Sequence, residues 1–223
     1  MKSWHIVVFV MGVILSGFLG WRTTAVKLNS LINKTTAELH KSNDSLNKYA
    51  EMNIKLSNMA RAMTICFDLS EYESKYYAVI FNDLSIKDSI PDWEIFPATV
   101  YVESRFLPNL VSDKGAKGLM QLLDSTAMGQ AKILNIQYNR HTINNPFLNI
   151  VMGCNYLAEG IKKNGIENAA KYYVAGPKFA SRDSAKDYIN SYDSEVMRKF
   201  HELQREYIKL CYVYKGVVCE NRQ

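Results

Sequence analysis

The chain has 223 residues and a net charge of +5, and its composition is 48% hydrophobic, 12% aromatic and 22% charged. This length allows one compact domain with appendages, and only five prolines argue against a long disordered linker. The mild positive charge does not choose among partners, but no zinc-finger spacing, phosphate-binding loop or dinucleotide-binding glycine pattern occurs, so we predict no nucleic-acid partner and no cofactor.

The N-terminus contains an uncharged apolar run from Ile6 to Trp21. The run is slightly short for a membrane-spanning helix, but Trp4 and Trp21 are suited to the two membrane interfaces. A cleaved signal peptide is the alternative, yet no good small-residue cleavage site directly follows the run. We therefore predict a transmembrane anchor over residues 1–22, although the basic residues that follow it oppose the usual orientation rule.

Residues 23–63 are predicted to form a helical stalk. A heptad register gives mostly apolar a positions (Ala25, Ile32, Leu39, Leu46, Asn53, Ala60) and d positions (Leu28, Thr35, Ser42, Tyr49, Leu56, Met63). Thr35, Ser42 and Asn53 interrupt this apolar seam. The seam either pairs with a second copy as a coiled coil or lies on the following domain.

Residues 64–223 are predicted to be one mainly helical domain. The pattern predicts helices from Pro97 to near Phe106, from about Leu119 to Leu134, from Pro146 to Gly165, over residues 168–176, and over residues 184–210 as one long or two shorter helices. Pro108 sets the end of the first helix because it disfavours helical backbone in the residue before it.

The cysteines fit more than one arrangement. Cys211 and Cys219 either close a hairpin as a disulfide, or lie as free thiols with a helix continuing through Tyr212, and the sequence does not choose. Cys154 lies inside a helical pattern and is predicted to be a buried core thiol.

Glu103 is the first candidate for chemistry. It falls in the last turn of its predicted helix, where the helix dipole disfavours a negative charge, and Val100 and Phe106 lie three residues to either side. These surroundings predict a raised pKa, and a carboxyl group that keeps its proton near neutral pH is a general acid.

A turn-rich loop follows Glu103 and leads into the helix predicted from Leu119. It contains the turn residues Pro108, Asn109, Ser112, Asp113, Gly115 and Gly118. A helix end, a loop and a helix start therefore meet around one place. Freed backbone groups there, with Ser112 and Gln121, are suited to a polar, uncharged ligand such as a sugar.

These segments resemble the soluble-type lytic transglycosylases, a family with the goose-type lysozyme-like fold. The matching residues are Glu103-Ser104-Arg105-Phe106, Pro108-Asn109-Leu110-Val111-Ser112 and Gly115-Ala116-Lys117-Gly118-Leu119-Met120-Gln121. A second block spans Asn145 to Leu157, and a third is Tyr172-Tyr173-Val174-Ala175-Gly176-Pro177, with Val174 where the family has asparagine. Residues 185–189 loosely resemble the family's final Thr-x-x-Tyr-Val.

The resemblance implies cleavage of peptidoglycan between N-acetylmuramic acid and N-acetylglucosamine, with Glu103 as the single acid and base and a 1,6-anhydro sugar as product. It further implies that Ser112 and Gln121 contact the sugar or its acetamido group, that Met120 lines the groove, and that Tyr156 and Tyr173 direct hydroxyls toward the carboxyl or the substrate. No motif supports Asp113 or Asp124 as a second catalytic group, and the four scattered histidines predict no metal site.

Two alternatives remain beside this reading: a lysozyme-type hydrolase on the same fold, and a non-catalytic peptidoglycan-binding assembly protein, for which Val174 leaves room. Anchor and stalk together predict a membrane-anchored protein whose catalytic domain lies in the periplasm or cell envelope, or in a virion if a phage encodes it. Its predicted partners are glycan strands, the membrane, and components of an envelope machine or virion.

Overall fold

The computed structural model describes the backbone of residues 3–177 and 186–213, with the side chains of these residues except 3–15, 17–20, 25 and 213. Regular structure in these ranges is helical, apart from two isolated bridges in one loop. The helices are α1 (Ser3–Phe67), α2 (Glu71–Asp88), α3 (Ile95–Ser104), α4 (Asp124–Ile133), α5 (Arg140–Asn144), α6 (Pro146–Asn164), α7 (Ala169–Ala175) and α8 (Lys186–Val213), with a 3-10 turn at Ile166–Asn168. The predicted mainly helical class is confirmed.

The chain forms two compact units, Met1–Met52 and Asn53–Gln223. Every described residue of the first unit lies in α1, which confirms the helical character of the predicted stalk. From residue 22 to residue 67 this helix contains neither glycine nor proline, so no residue in that stretch breaks its backbone hydrogen bonding. The domain boundaries after residues 22 and 63, and the pairing of the heptad seam, stay predictions.

No helix among the described residues has the combined length and apolar character that crossing a membrane requires. The apolar run from Ile6 to Trp21 falls mostly on residues whose side chains lie outside the described set. The membrane anchor over residues 1–22 is therefore without structural support and stays a prediction from the sequence.

Helix α3 is the buried centre of the second unit, since every residue from Ile95 to Val100 is buried. It packs against α8, in which buried side chains recur every three or four residues, as expected for one face of a helix. These residues are Ile189, Tyr192, Val196, Phe200, Leu203 and Tyr207. The packing brings the C-terminal turn of α3, which contains Glu103, against the first half of α8.

Helix α6 begins and ends where the sequence predicts. The Asn145 side chain accepts a hydrogen bond from the Leu148 N–H at 3.0 Å, and Pro146 occupies the first turn. Gly165 follows the last helical residue with a φ of 78°, a conformation that favours glycine. The predicted helices over residues 146–165 and 168–176 are confirmed as α6 and α7, and Cys154 is fully buried as predicted.

Two predicted helix boundaries around the loop are wrong. Helix α3 ends at Ser104 instead of near Phe106, because Arg105 and Phe106 both adopt positive φ angles (54° and 61°). The next helix, α4, begins at Asp124 instead of Leu119. Residues 118–121 form a tight turn in which Gln121 has a φ of 43° and its N–H bonds the Gly118 carbonyl at 3.1 Å.

The C-terminal segment is one helix up to Val213, not two. Cys211 lies in this helix, is buried, and is disulfide-bonded. The observed arrangement therefore combines parts of both sequence alternatives: a helix continues through Tyr212, yet Cys211 is not a free thiol. Cys219 lies outside the described residues, so its predicted pairing with Cys211 stays a prediction.

Candidate active site

Glu103 lies in the last turn of α3 and is half-buried. Burial raises the pKa of this carboxyl to about 7, and a hydrogen bond from the Tyr192 hydroxyl to Glu103 Oε1, at 2.6 Å, opposes part of that rise. The raised pKa agrees in direction with the sequence prediction. Its main cause is burial by the rest of the domain, whereas the sequence pointed to the helix dipole and to apolar neighbours on the same helix.

Ser104 connects the end of α3 to the turn that precedes α4. Its buried hydroxyl donates to the backbone carbonyl of Leu119 at 2.8 Å. Because Ser104 is the neighbour of Glu103, this bond fixes the turn at 118–121 directly beside the carboxyl-bearing residue. The motif Glu-Ser therefore has a structural reason: the serine fastens the loop next to the glutamate.

The same turn is fastened from the other side by Asn149 on α6. Asn149 Oδ1 accepts from the Met120 N–H at 2.8 Å, and its Nδ2 donates to the carbonyls of Lys117 and Ile143, both at 3.0 Å. A Cβ at Gly118 would lie 2.5 Å from the Asn149 amide, so the backbone approaches Asn149 more closely than a larger residue permits. The glycine is therefore required for this contact.

Ser112 and Gln121 both take part in bonds within the loop. The Ser112 hydroxyl oxygen accepts from the Ala116 N–H at 3.1 Å, and Gln121 Nε2 donates to the carbonyls of Leu110 and Gly118 at 3.0 and 2.9 Å. These bonds shape the loop between α3 and α4. Direct contact of Ser112 and Gln121 with a sugar stays a prediction.

Met120 differs from its predicted surroundings. Its side chain is fully buried, and a Cβ at Gly153 would lie 2.5 Å from Met120 Cβ, so the two backbones are closely packed. In this structure Met120 is a core residue and does not line an open groove. Its apolar side chain is held inside because the Met120 N–H and carbonyl are both bonded to other helices.

The carbonyl of Met120 is bonded by Tyr173, which α7 places in the interior. The Tyr173 hydroxyl donates to Met120 O at 2.6 Å, and burial, with Glu103 nearby, raises the Tyr173 pKa well above its usual value. The Tyr156 ring packs against those of Tyr172 and Tyr173, with centroids 5.3 and 5.5 Å away. Tyr173 thus lies near Glu103, but its hydroxyl donates to a backbone carbonyl and not to the carboxyl group. The neighbouring Val174 is partly buried.

Sequence reasoning missed Tyr192, the residue that bonds Glu103. The signal that would have found it is the apolar stripe of α8, in which Tyr192 is the polar-tipped member between Ile189 and Val196. The stripe predicts a buried tyrosine but not its partner, because the partner is 89 residues away in the chain.

Among the described residues, no second carboxylate contributes to the pKa of Glu103. Asp124 is exposed, and its bonds with Tyr138 and Lys117 hold its pKa below the usual value. Asp113 is also exposed. The part of the chain that the structure describes also lacks any group of three or more metal-ligating side chains. Among the described residues, the site therefore has one half-buried carboxyl group with a raised pKa.

Comparison with known proteins assigns this region to a family. Residues 85–195 match the model of the transglycosylase SLT domain. The 70 kDa soluble lytic transglycosylase of Escherichia coli is similar in structure, with a TM-score of 0.52 and 20% identity over 71% of this chain and 29% of that one. An inactive mutant of the lytic transglycosylase Slt from Pseudomonas aeruginosa gives a TM-score of 0.47 and 17% identity over 72% of this chain and 30% of that one.

A complex of the 70-kDa soluble lytic transglycosylase with bulgecin A also matches, at a TM-score of 0.44 and 19% identity over 76% of this chain and 30% of that one. The chain thus spans less than a third of the length of the solved structures it matches. Residues 85–195 are thus similar to the transglycosylase SLT domain, and the fold is similar to that of the E. coli soluble lytic transglycosylase.

Proposed function

We propose that the chain is a peptidoglycan lytic transglycosylase that cleaves the β-1,4 bond between N-acetylmuramic acid and N-acetylglucosamine. The family match over residues 85–195 supports the substrate class. The observation that carries the reaction type is Glu103: one half-buried carboxyl group with a pKa of about 7, held by one hydrogen bond from Tyr192.

A single carboxyl group suffices if it acts twice. Protonated Glu103 gives its proton to the glycosidic oxygen as the bond to muramic C1 breaks. The resulting carboxylate then takes the proton of the muramic C6 hydroxyl as that oxygen bonds to C1. The product carries a 1,6-anhydro ring, no water is consumed, and Glu103 is protonated again. A pKa near 7 suits both steps because the protonated and the ionised carboxyl are both substantially populated at neutral pH.

Hydrolysis on the same fold is the alternative within this class of enzyme. Ordinary glycosidases use two carboxyl groups, separated by about 5–5.5 Å or about 6.5–9.5 Å. Among the described residues no second carboxylate affects Glu103, which favours the internal C6 hydroxyl over water as nucleophile. A third candidate, a wall-binding protein without activity, predicts no cleavage at all.

Digestion of purified peptidoglycan followed by mass spectrometry tests all three candidates. We expect fragments lighter by one water than fragments with a reducing end, as an anhydro end requires. Fragments with reducing ends would indicate a hydrolase, and intact strands a binding protein. Glu103→Gln should slow cleavage by about a thousandfold, the usual contribution of a general acid and base.

The control for that substitution is Glu167→Gln, which changes an exposed glutamate in the turn before α7. It should cleave like the parent, and both variants should keep the parent's circular dichroism spectrum. If Glu103→Gln clears peptidoglycan as fast as the parent, Glu103 is not the acid.

We further propose, from the sequence, that residues 1–22 anchor the chain in a membrane and that the part of the heptad seam from residue 28 to residue 49 pairs with a second copy. The substrate is a component of the bacterial envelope, which supports placement of the catalytic domain in the periplasm or envelope, or in a virion for a phage-encoded chain. The roles of Ser112, Gln121 and Tyr156 toward the sugar belong to the same proposal.

A further inference from the structure

Lys114 and Tyr188 come together at the solvent side of the Glu103 site. Lys114 Nζ lies 5.9 Å from the centroid of the Tyr188 ring, and that tyrosine is 61% exposed. The two residues belong to different elements, Lys114 to the loop between α3 and α4 and Tyr188 to the first turn of α8. A cation and an exposed aromatic ring are thus presented side by side.

The loop holds Lys114 in a closed turn. The Ser112 N–H donates to the Ala116 carbonyl at 2.9 Å, and the Gly115 N–H donates to the Ser112 carbonyl at 2.8 Å. The Ala116 N–H also bonds the Ser112 hydroxyl. These bonds fix the backbone on both sides of Lys114, so the direction in which its side chain leaves the loop is set before any ligand arrives.

Helix α8 links the exposed ring to the half-buried carboxyl. Tyr188 lies four residues before Tyr192, so both project from one face of the helix. Tyr192 is buried and bonds Glu103, and Tyr188 is close enough to raise the pKa of Tyr192. The side chains therefore lead from Glu103 through Tyr192 to Tyr188, which places Tyr188 and Lys114 at the rim of the site.

Lys114 differs from the neighbouring basic residues because it has no ion-pair partner among the described residues. Three basic residues lie between residues 97 and 124; Arg105 pairs with Glu195 at 2.9 Å and Lys117 with Asp124 at 2.9 Å. Lys114 forms no ion pair with any described residue, and its side chain is exposed. Within residues 3–177 and 186–213, Lys114 thus presents a positive charge without an ion-pair partner beside an aromatic ring.

We propose that Lys114 and Tyr188 form a subsite for the carboxylate-bearing peptide substituents of the glycan strand, which rests on the proposed function. The sugar backbone of the substrate is uncharged, whereas the lactyl group of each muramic acid leads into a peptide with free carboxylates. Lys114 pairs with such a carboxylate, and the exposed face of Tyr188 packs against the adjoining sugar or lactyl group. Lys114 is then a specificity-determining residue, not a catalytic one.

The test compares two forms of one substrate. Soluble glycan strands with their peptides are N-acetylated to block amines, and half of the preparation is then coupled to methylamine so that its carboxylates become neutral amides. The parent, Lys114→Ala, Lys114→Arg and Lys114→Glu are assayed on both preparations. The control is Lys48→Ala, which removes an exposed positive charge from the first unit.

On strands with free carboxylates we expect Lys114→Ala to raise KM about fivefold without changing kcat, which is the size of one exposed ion pair. Lys114→Glu should raise KM further, and Lys114→Arg should restore most of the parent's KM. On amidated strands the variants should lose these differences. Equal effects of Lys114→Ala on both preparations, or no effect on either, would overturn the subsite.

Binding measured by co-sedimentation with insoluble peptidoglycan, native or amidated, separates this proposal from the proposed catalysis. If the parent does not cleave, yet Lys114→Ala weakens binding to the native form alone, the subsite stands and the catalytic proposal fails. If the parent cleaves and the Lys114 variants match it in KM and in binding, the subsite fails and the catalytic proposal stands.

Discussion

The chemistry proposed for Glu103 depends on a hydroxyl supplied by another helix. Burial alone raises the carboxyl pKa and favours the proton-donating form, whereas the Tyr192 hydroxyl favours the carboxylate that must form after the proton has left. The two effects act in opposite directions, and their balance gives a pKa of about 7. In the proposed reaction, Tyr192 is therefore a positioning residue that also sets the pH range.

Tyr192→Phe is predicted to move the alkaline limb of the kcat–pH profile upward. Without the hydroxyl the carboxylate loses its hydrogen bond, the pKa of Glu103 rises further above its usual range, and the protonated acid persists to higher pH. Since the carboxylate is also less stabilised after proton donation, kcat at neutral pH should fall about tenfold, in line with one hydrogen bond to a charged group. Initial rates of strand cleavage from pH 4 to pH 9 measure both effects.

Tyr212→Phe on the same helix is the matched control, because Tyr212 is 77% exposed. Its profile should overlay that of the parent. A Tyr192→Phe protein that loses activity equally at every pH would show that the hydroxyl supports the structure without affecting the pKa of Glu103.

At the scale of elements, the loop after Glu103 is held by hydrogen bonds from α3 and α6. Ser104 bonds the Leu119 carbonyl, and Asn149 bonds both sides of the turn at residues 117 and 120. Both side chains are buried, so water does not replace a lost partner. The position of this turn beside the carboxyl group thus follows from helix packing and from two polar side chains.

Asn149→Ala is predicted to lower the free energy of unfolding by about 3 kcal/mol, because three hydrogen bonds are lost and the buried Met120 N–H is left unpaired. Activity should fall more than tenfold even at temperatures where the variant is fully folded. Urea denaturation and cleavage rates measure the two effects. Asn155→Ala, on the same helix but bonded to Gln130, should keep its activity; equal losses in both variants would show that α6 itself is disturbed.

The helices that the sequence predicts well are those with side-chain signals at their ends. Helix α6 has Asn145 and Pro146 before it and Gly165 after it, and its bounds agree with the prediction. The start of α4 was misplaced because Leu119, Met120 and Leu122 form an apolar run that fits a helical period. These residues are buried instead by a turn in which Gly118 and Gln121 adopt positive φ angles. The turn is held by a hydrogen bond from Asn149, which is distant in the chain.

In the site too, features set by local sequence are predictable, whereas contacts between distant parts of the chain are not. Glu103 and the loop residues lie within one short segment, so local patterns and a family resemblance find them. The hydrogen bond from Tyr192 to Glu103 and the full burial of Met120 both depend on how α3, α6 and α8 pack together. Local periodicity predicts which face of a helix is buried but not which helix packs against that face. The direction of the Glu103 pKa shift was predictable, but its principal cause was not.

At the scale of the whole molecule, α1 presents the part of its heptad seam from Leu28 to Tyr49 to solvent in the single chain, whereas Ala60 and Met63, further along the seam, are buried in the core of the second unit. The exposed seam residues include Leu28, Ile32, Leu39, Leu46 and Tyr49. Isolated surface leucines are common, but a repeated apolar stripe along one helix is the pattern by which two helices associate. A second copy of this chain is the partner that presents an identical stripe.

We therefore predict that the chain dimerises and that Leu39→Asn combined with Leu46→Asn weakens the dimer. Both leucines are a positions, 70% and 63% exposed in the single chain, and each loses apolar area that pairing would bury. Sedimentation equilibrium should show a dissociation constant at least tenfold higher than the parent's. The second unit of the variant should unfold at an unchanged temperature, because neither residue belongs to it.

Lys41→Asn combined with Lys48→Asn provides the control for this change, since both lysines lie on α1 but outside the a and d positions. That variant should associate like the parent. A parent chain that sediments as a monomer at every concentration would mean that the seam does not bind its own copy. The interruptions at Thr35, Ser42 and Asn53 would then be too costly for self-pairing, because each places a small or polar group where the facing helix requires an apolar side chain.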